Sequence, residues 1–145
     1  MEKQLKIRKC LKEDADAVFK MICQLEGENP ERQDFDRVFL SNLENKEVFY
    51  IIAEFNSRII GFASMHIQVL LHHTGKVAEI QEMYIDPLYR NSGYGEEMLY
   101  YLRDIAEEKD CRHFEATCNI VRTKTHNFLG NRGMQSTHYK FTERL

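Results

Sequence analysis

The residues best suited to chemistry lie in one short stretch, Asp86-Pro87 followed by Arg90-Asn91-Ser92-Gly93-Tyr94-Gly95. It comes after a β-branched, aromatic run and opens into a segment of helical period. Glycines at this point let the backbone turn and present its N–H groups to a ligand. A helix beginning there aims further unpaired N–H groups and the positive end of its dipole at the same place. The product is an anion cradle, fit for a phosphate or pyrophosphate. No Gly-Lys-[Ser/Thr] follows, so the stretch is not a P-loop. It is not G-x-G-x-x-G either, and no acidic ribose reader sits about 20 residues on in a βαβ unit. Taken alone, it also suits a plain connection.

Sulfur chemistry is not indicated. The four cysteines, Cys10, Cys23, Cys111 and Cys118, form no C-x-x-C and share no zinc-knuckle spacing with histidine. Cys23 and Cys118 lie in apolar periodic stretches, as small hydrophobes do in a reducing compartment.

The elements that must position the cradle can be read from period and breakers. Leu5 to Lys9 alternates as a first strand. From Glu13, the spacing of Ala15, Val18, Phe19, Ile22 and Leu25 predicts an amphipathic helix, ended by Gly27 to Pro30. Phe35, Val38, Phe39 and Leu43 predict a second, capped by Asp34. Val48 to Ala53, Arg58 to Val69 and Val77 to Ile85 read as strands, with Gly61 a bulge and short connections that make the three antiparallel. The cradle helix carries Met98, Leu99, Leu102, Ile105 and Ala106 on one face. A strand from His113 to Asn119, a helix around Lys124 to Asn131 with Gly133 as its stop, and an alternating strand from Ser136 to Glu143 complete the chain. The reading is one α/β domain over residues 1–145, with a mixed, mostly antiparallel central sheet flanked by helices.

Composition fits that reading. The 145 residues are 43% hydrophobic with only 2 Pro, which argues against disorder. The net charge of −3 argues against a nucleic-acid binder that depends on phosphate contacts. From Arg112 onward, however, six basic residues face only Glu115 and Glu143, a balance that suits a small anionic ligand. No run approaches a membrane span, and Met1 to Gln4 opens no signal peptide, so a cytoplasmic protein is expected.

Motif and element order together resemble the GNAT superfamily of N-acetyltransferases over essentially the whole chain. The shared features are R-x-x-G-x-G at Arg90 to Gly95 and the preceding Met83-x-Ile85-x-Pro87. The resemblance implies acetyl-CoA as co-substrate, lying between two splayed strands. It implies that Met83, Tyr84 and Ile85 offer backbone groups to the acetyl-pantetheine arm, with one N–H polarising the acetyl carbonyl. Arg90, Asn91, Ser92, Gly93, Tyr94 and Gly95 would then hold the pyrophosphate, and Asn119 the pantetheine. Glu79 stands eleven residues before Arg90, where histone-type relatives carry a glutamate base. A strand's period of two puts Glu79 and Glu82 on opposite faces, so only one is expected to act. The tyrosine that often serves as general acid is replaced by Leu129, which leaves the acid unassigned; His126 lies nearby on the same helix.

A narrower resemblance, to aminoalkylphosphonate N-acetyltransferases, rests on His66-x-Gln68-x-x-x-His72-His73, Glu79-Ile80-Gln81-Glu82 and the tail Ser136 to Thr142. It implies a small phosphonate-bearing amine as acceptor and a divalent metal. Three histidines and two glutamates near one strand pair suit such a metal. On an extended chain, however, the consecutive His72 and His73 point apart, and no ligands are assigned. Lys76, Arg122 and the histidines are placed to reach an anionic acceptor. The last strand, unpaired at the chain end, predicts a homodimer formed by pairing or exchange. Two alternatives stay open: another amine acceptor (a protein lysine, a polyamine or an aminoglycoside), or a non-catalytic acyl-CoA-binding module.

Overall fold

Strand and helix follow the apolar period closely in the computed structural model, which describes residues 4–145. The elements are β1 (Leu5–Lys9), α1 (Ala15–Glu26), α2 (Arg32–Glu44), β2 (Val48–Phe55), β3 (Arg58–Leu70), β4 (Gly75–Ile85), α3 (Tyr94–Glu108), β5 (His113–Ala116) and α4 (Thr123–Asn131). Short 3-10 turns cover Lys12–Asp14, Leu71–His73 and Pro87–Tyr89. The sheet runs in chain order, β1-β2-β3-β4-β5. Its first three pairings are antiparallel and β4–β5 is parallel, reached through the α3 crossover.

Alternation along the strands divides the core between two faces. Ala63, Met65 and Ile67 of β3 and Ala78 and Ile80 of β4 pack with Met98, Leu99, Leu102 and Ala106 of α3. Phe62 and Ile52 face the other way, onto Val18 and Met21 of α1 and Phe39 of α2. An aromatic column runs through this second layer: Phe19–Phe35, Phe35–Phe39, Phe39–Tyr50 and Tyr50–Phe62, with centroids 5.1, 5.6, 5.8 and 5.3 Å apart. The two rings fully buried in it, Phe39 and Phe62, each contribute about 1.5–3 kcal/mol through burial. At the edge, Arg8 donates to both oxygens of the buried Asp14, at 2.8 and 2.9 Å, and to Glu54 at 2.7 Å. The guanidinium holds the Asp14 carboxyl below the usual carboxylate range.

Two bulges bend the sheet. Ala53 pairs with Gly61 and Glu54 with Ile59, so Ile60 is the inserted residue, one position before the glycine that the sequence suggests. Gly61 is required for another reason: a Cβ there would lie 3.0 Å from the Tyr84 carbonyl oxygen and 3.3 Å from Met98 Sδ. The second bulge is in β4, where Ser64 pairs with Glu82 and Met65 with Ile80, leaving Gln81 inserted.

Three expectations are corrected. The α2 N-cap is Glu31, whose carboxylate accepts from the Gln33 and Asp34 N–H groups at 3.2 and 2.9 Å; Asp34 lies inside the helix. β5 stops at Ala116, three residues short of Asn119. Ser136 to Glu143 forms no strand, and Tyr139 and Phe141 are 88% and 92% exposed. Alternation needs a neighbouring strand to become a ladder, and none of the described strands pairs with this tail.

Candidate active site

β4 carries the site because its two sides are treated differently. Toward β3 it is paired from Gly75 to Ile85. Toward β5 the ladder runs only from Val77↔His113 to Ile80↔Ala116, followed by one bond from the Thr117 N–H to the Ile80 carbonyl at 3.2 Å. Beyond Ile80 the strands part, so Gln81 to Ile85 have no strand partner on that side among the described residues. Unsatisfied backbone groups at such a gap are ready to pair with an extended ligand. Met83 and Ile85 pack toward α3, whereas Tyr84 turns to the α1–α2 layer.

The cradle closes the open end. Asp86 donates its N–H to the Ile60 carbonyl at 2.7 Å, and its carboxylate accepts from the Leu88 N–H at 2.9 Å, capping the Pro87–Tyr89 turn. Arg90 folds back: its Nε donates to the Ile85 carbonyl at 2.7 Å and its guanidinium lies 5.3 Å from the Tyr84 ring centroid. The loop is exposed and left-handed at Asn91 (φ 62°) and at Gly93 (φ 83°), the α3 N-cap. Ser92 Oγ bonds the Arg90 carbonyl at 3.5 Å. The first backbone bond of α3 runs from the Glu97 N–H to the Gly93 carbonyl at 3.2 Å, so the N–H groups of its first turn aim out of the helix end. Tyr94 packs on Phe55, and Gly95 lies against Ile85 and the Phe128 ring of α4. Arg132, the C-cap of α4, pairs with Glu96 at 2.9 Å, which offsets a carboxylate that would repel an anion.

The carboxylates depart from the simple strand pattern. Insertion of Gln81 restores the phase, so Glu79 lies opposite His66 and Glu82 opposite Ser64, on the same face. The expectation that they face apart is therefore wrong. Both Glu79 oxygens are bonded: Gln81 Nε2 donates to one at 2.6 Å and Thr117 Oγ1 to the other at 2.7 Å. Glu82 accepts a short hydrogen bond from the hydroxyl of the buried Ser64 and returns its own N–H to that oxygen at 3.1 Å. Gln81, Thr117 and Ser64 were not singled out in the sequence. Gln81 shares the face of Glu79 by simple alternation, and the bulge, invisible in the sequence, adds Glu82 to it.

Other candidates lie elsewhere than expected. Asn119 is exposed, with its side-chain oxygen accepting the Val121 N–H at 3.0 Å and its carbonyl bonded to His126 Nε2 at 2.9 Å. That bond ties His126 to the loop. Leu129 packs into the α3 core. Lys76 Nζ donates to the Lys109 carbonyl at 3.2 Å, and Arg122 Nη2 to the Leu25 carbonyl at 2.6 Å. His72 and His73 do not point apart, because the chain turns there; their rings meet at a tilt of 45° with centroids 4.2 Å apart, and His73 meets His113 of β5 at the same tilt with centroids 3.9 Å apart. Burial first, then the charges of His113 and His72, hold the His73 imidazole below its ordinary value. Cys10 is buried and its thiol is pushed up to about 12, while burial also raises Cys111 and Cys118, so none is poised as a thiolate nucleophile. No described helix is long and apolar enough to cross a membrane.

Comparison with known proteins agrees with this geometry. The profile of the acetyltransferase (GNAT) family matches residues 15–134. An aminoalkylphosphonate N-acetyltransferase from Salmonella typhimurium is 32% identical over 139 residues, covering 96% of this chain and 90% of that protein. A transcriptional regulator from Bacillus halodurans superposes with a TM-score of 0.90 at 19% identity, over 97% of this chain and 99% of the other. The aminoglycoside N-acetyltransferase AAC(6')-Iy, solved in complex with CoA, does so with a TM-score of 0.88 at 17% identity, over 100% and 97%. An unpaired half-strand beside a glycine-capped helix is thus set in a fold shared with a CoA-binding enzyme, and the chain is an acetyltransferase of the GNAT family.

Proposed function

We propose that residues 1–145 form a single-domain, acetyl-CoA-dependent N-acetyltransferase acting on a small aminoalkylphosphonate by direct attack of the amine. The observation that carries it is the gap after Ile80, with the α3 cradle at its end and two held carboxylates on the face opposite α3. The acetyl-pantetheine arm lies along Met83, Tyr84 and Ile85, and one of their N–H groups polarises the acetyl carbonyl. Arg90, Asn91, Ser92, Gly93, Tyr94 and Gly95 surround the pyrophosphate, and Asn119 borders the pantetheine.

The acceptor arrives as a cation and must lose a proton before it attacks. Glu79, oriented by Gln81 and Thr117, takes that proton. The amine nitrogen bonds to the acetyl carbon, the tetrahedral oxyanion collapses, the C–S bond breaks and CoA leaves as thiolate, and the nitrogen's surplus proton passes to that thiolate or to solvent, which leaves the neutral amide and CoA. A divalent cation, implied by the narrower resemblance, accompanies the acceptor. The exposed tail bearing Tyr139 and Phe141 supports a homodimer in which a second copy covers it, and the proposed setting of the enzyme is the cytoplasm. A scattering mass of twice 17.2 kDa checks that point.

The acceptor is tested by kcat/KM for an aminoalkylphosphonate against its uncharged alkylamine analogue and a polyamine. Preference for the phosphonate is expected. Preference for either other amine ends the phosphonate reading and leaves acetyl transfer standing, while absence of CoA release with every amine favours a binding module.

A further inference from the structure

The acceptor face has a charge problem. A dianionic group needs strong donors, yet Lys76 and Arg122 each already hold a backbone carbonyl, and Glu79 and Glu82 are acidic. One cluster on this face answers it. His113 and Glu115 alternate on β5, so they share a face, and Glu115 is the register partner of Glu79. His73 reaches them from the turn between β3 and β4. One donor atom from each of the three residues lies within 4.8 Å of the others, with His73 Nε2 3.5 Å and His113 Nδ1 3.9 Å from Glu115 Oε2. Among the described residues, Glu115 has no ion-pair partner but these two imidazoles.

We infer that His73, His113 and Glu115 bind a borderline transition-metal dication of the Zn2+ type, and that this cation anchors the acceptor's anionic group. Two imidazoles and one carboxylate are the donor set such ions prefer, and three protein ligands leave positions open for an incoming oxygen. The exposures agree: the side chain of His73 is 18% exposed, Glu115 37% and His113 53%, so the site has a closed floor and an open mouth. The frame is rigid. The Arg112 N–H bonds the Lys76 carbonyl at 2.8 Å, fixing the start of β5 on β4, and the Arg112 side chain packs against Gly75 immediately after the turn. The sequence left the ligands unassigned among the histidines and glutamates near β3 and β4; His73 belongs to that group, whereas Glu79 and Glu82 already hold protein donors.

The proposal deepens the aminophosphonate reading, and its first test does not depend on it. Full-length protein freed of metal with a chelator is titrated with Co2+, followed by calorimetry and by the visible absorption of the bound ion. A single Co2+ per chain is expected, with His113→Ala and Glu115→Gln each weakening it at least about tenfold and His66→Ala leaving it unchanged. Circular dichroism verifies folding, and His113→Asn replaces any variant that fails it. No Co2+ binding by the wild type, or wild-type binding by His113→Ala, overturns the site. The second test compares KM with and without metal. Metal removal should raise KM at least about tenfold for the phosphonate and leave the uncharged amine unaffected. An equal rise for both, or none for the phosphonate, overturns the anchoring role while the metal site stands on the titration.

Discussion

β4 is held on one side and released on the other, and the two sides divide the labour of the molecule. Toward β3, an antiparallel ladder over Gly75 to Ile85 joins a sheet backed by the aromatic column and clamped at its edge by Arg8, Asp14 and Glu54. Toward β5, four parallel pairs end at Ile80 and a gap opens. The same residues, Gln81 to Ile85, belong to both. Rigidity on the β3 side keeps their backbone in place, and on the β5 side no strand takes up their outward groups, although Arg90 holds the Ile85 carbonyl. A site that must grip an extended cofactor by its backbone needs both conditions in one strand.

The largest effect should come from breaking the chemistry of the open side without touching the frame. Glu79→Gln keeps the size and the hydrogen bond from Thr117 but removes proton acceptance. A fall in kcat of about 10²–10⁴ is expected, with acetyl-CoA binding and unfolding midpoint retained. The deficit should shrink at high pH, where more amine arrives neutral. Glu82→Gln, whose carboxylate is tied to the buried Ser64, should cost less in steady-state rates; the reverse order would move the base to Glu82.

Breaking the paired side should do the opposite. Phe62 is buried between β3 and the α1–α2 layer and meets Tyr50 edge-on. Phe62→Ala should lower unfolding free energy by about 3–5 kcal/mol, read by urea titration. The folded fraction should keep its CoA affinity. A variant of unchanged stability would show that the aromatic column is not what holds this half.

The mildest break is at the cradle. Gly93 has φ 83° and nothing within 4 Å of a Cβ position, so the space beside it is open to a ligand. Gly93→Val both strains that backbone and fills the space, and calorimetry should show CoA binding weakened by about 1–3 kcal/mol through lost hydrogen bonds. Unchanged affinity in a folded variant would detach the cradle from the pyrophosphate.

Much of this was legible in the residues. Period located all four helices and five strands of the structure, because burial of one stripe or one face leaves a repeat in the sequence. The cradle was legible because glycine at a strand-to-helix turn is a local demand, met by neighbours in the chain. The last strand failed as a prediction: Thr137, Tyr139 and Phe141 alternate, but alternation describes a strand's faces and says nothing about its partner.

The sequence by itself determined the elements, their order, the glycine-bearing strand-to-helix turn at Arg90 to Gly95 and the family resemblance, since all of these depend on local period and spacing. Tertiary structure alone decided which side chains meet. The inserted Gln81 shifted the strand's phase by one residue and turned Glu79 and Glu82 onto a common face. The turn at Leu71–His73 and the parallel register of β5 brought His73, 40 residues away in the chain, against His113. A bulge and a register are set by how two strands settle against each other, a long-range balance of packing and backbone bonds that no single segment encodes.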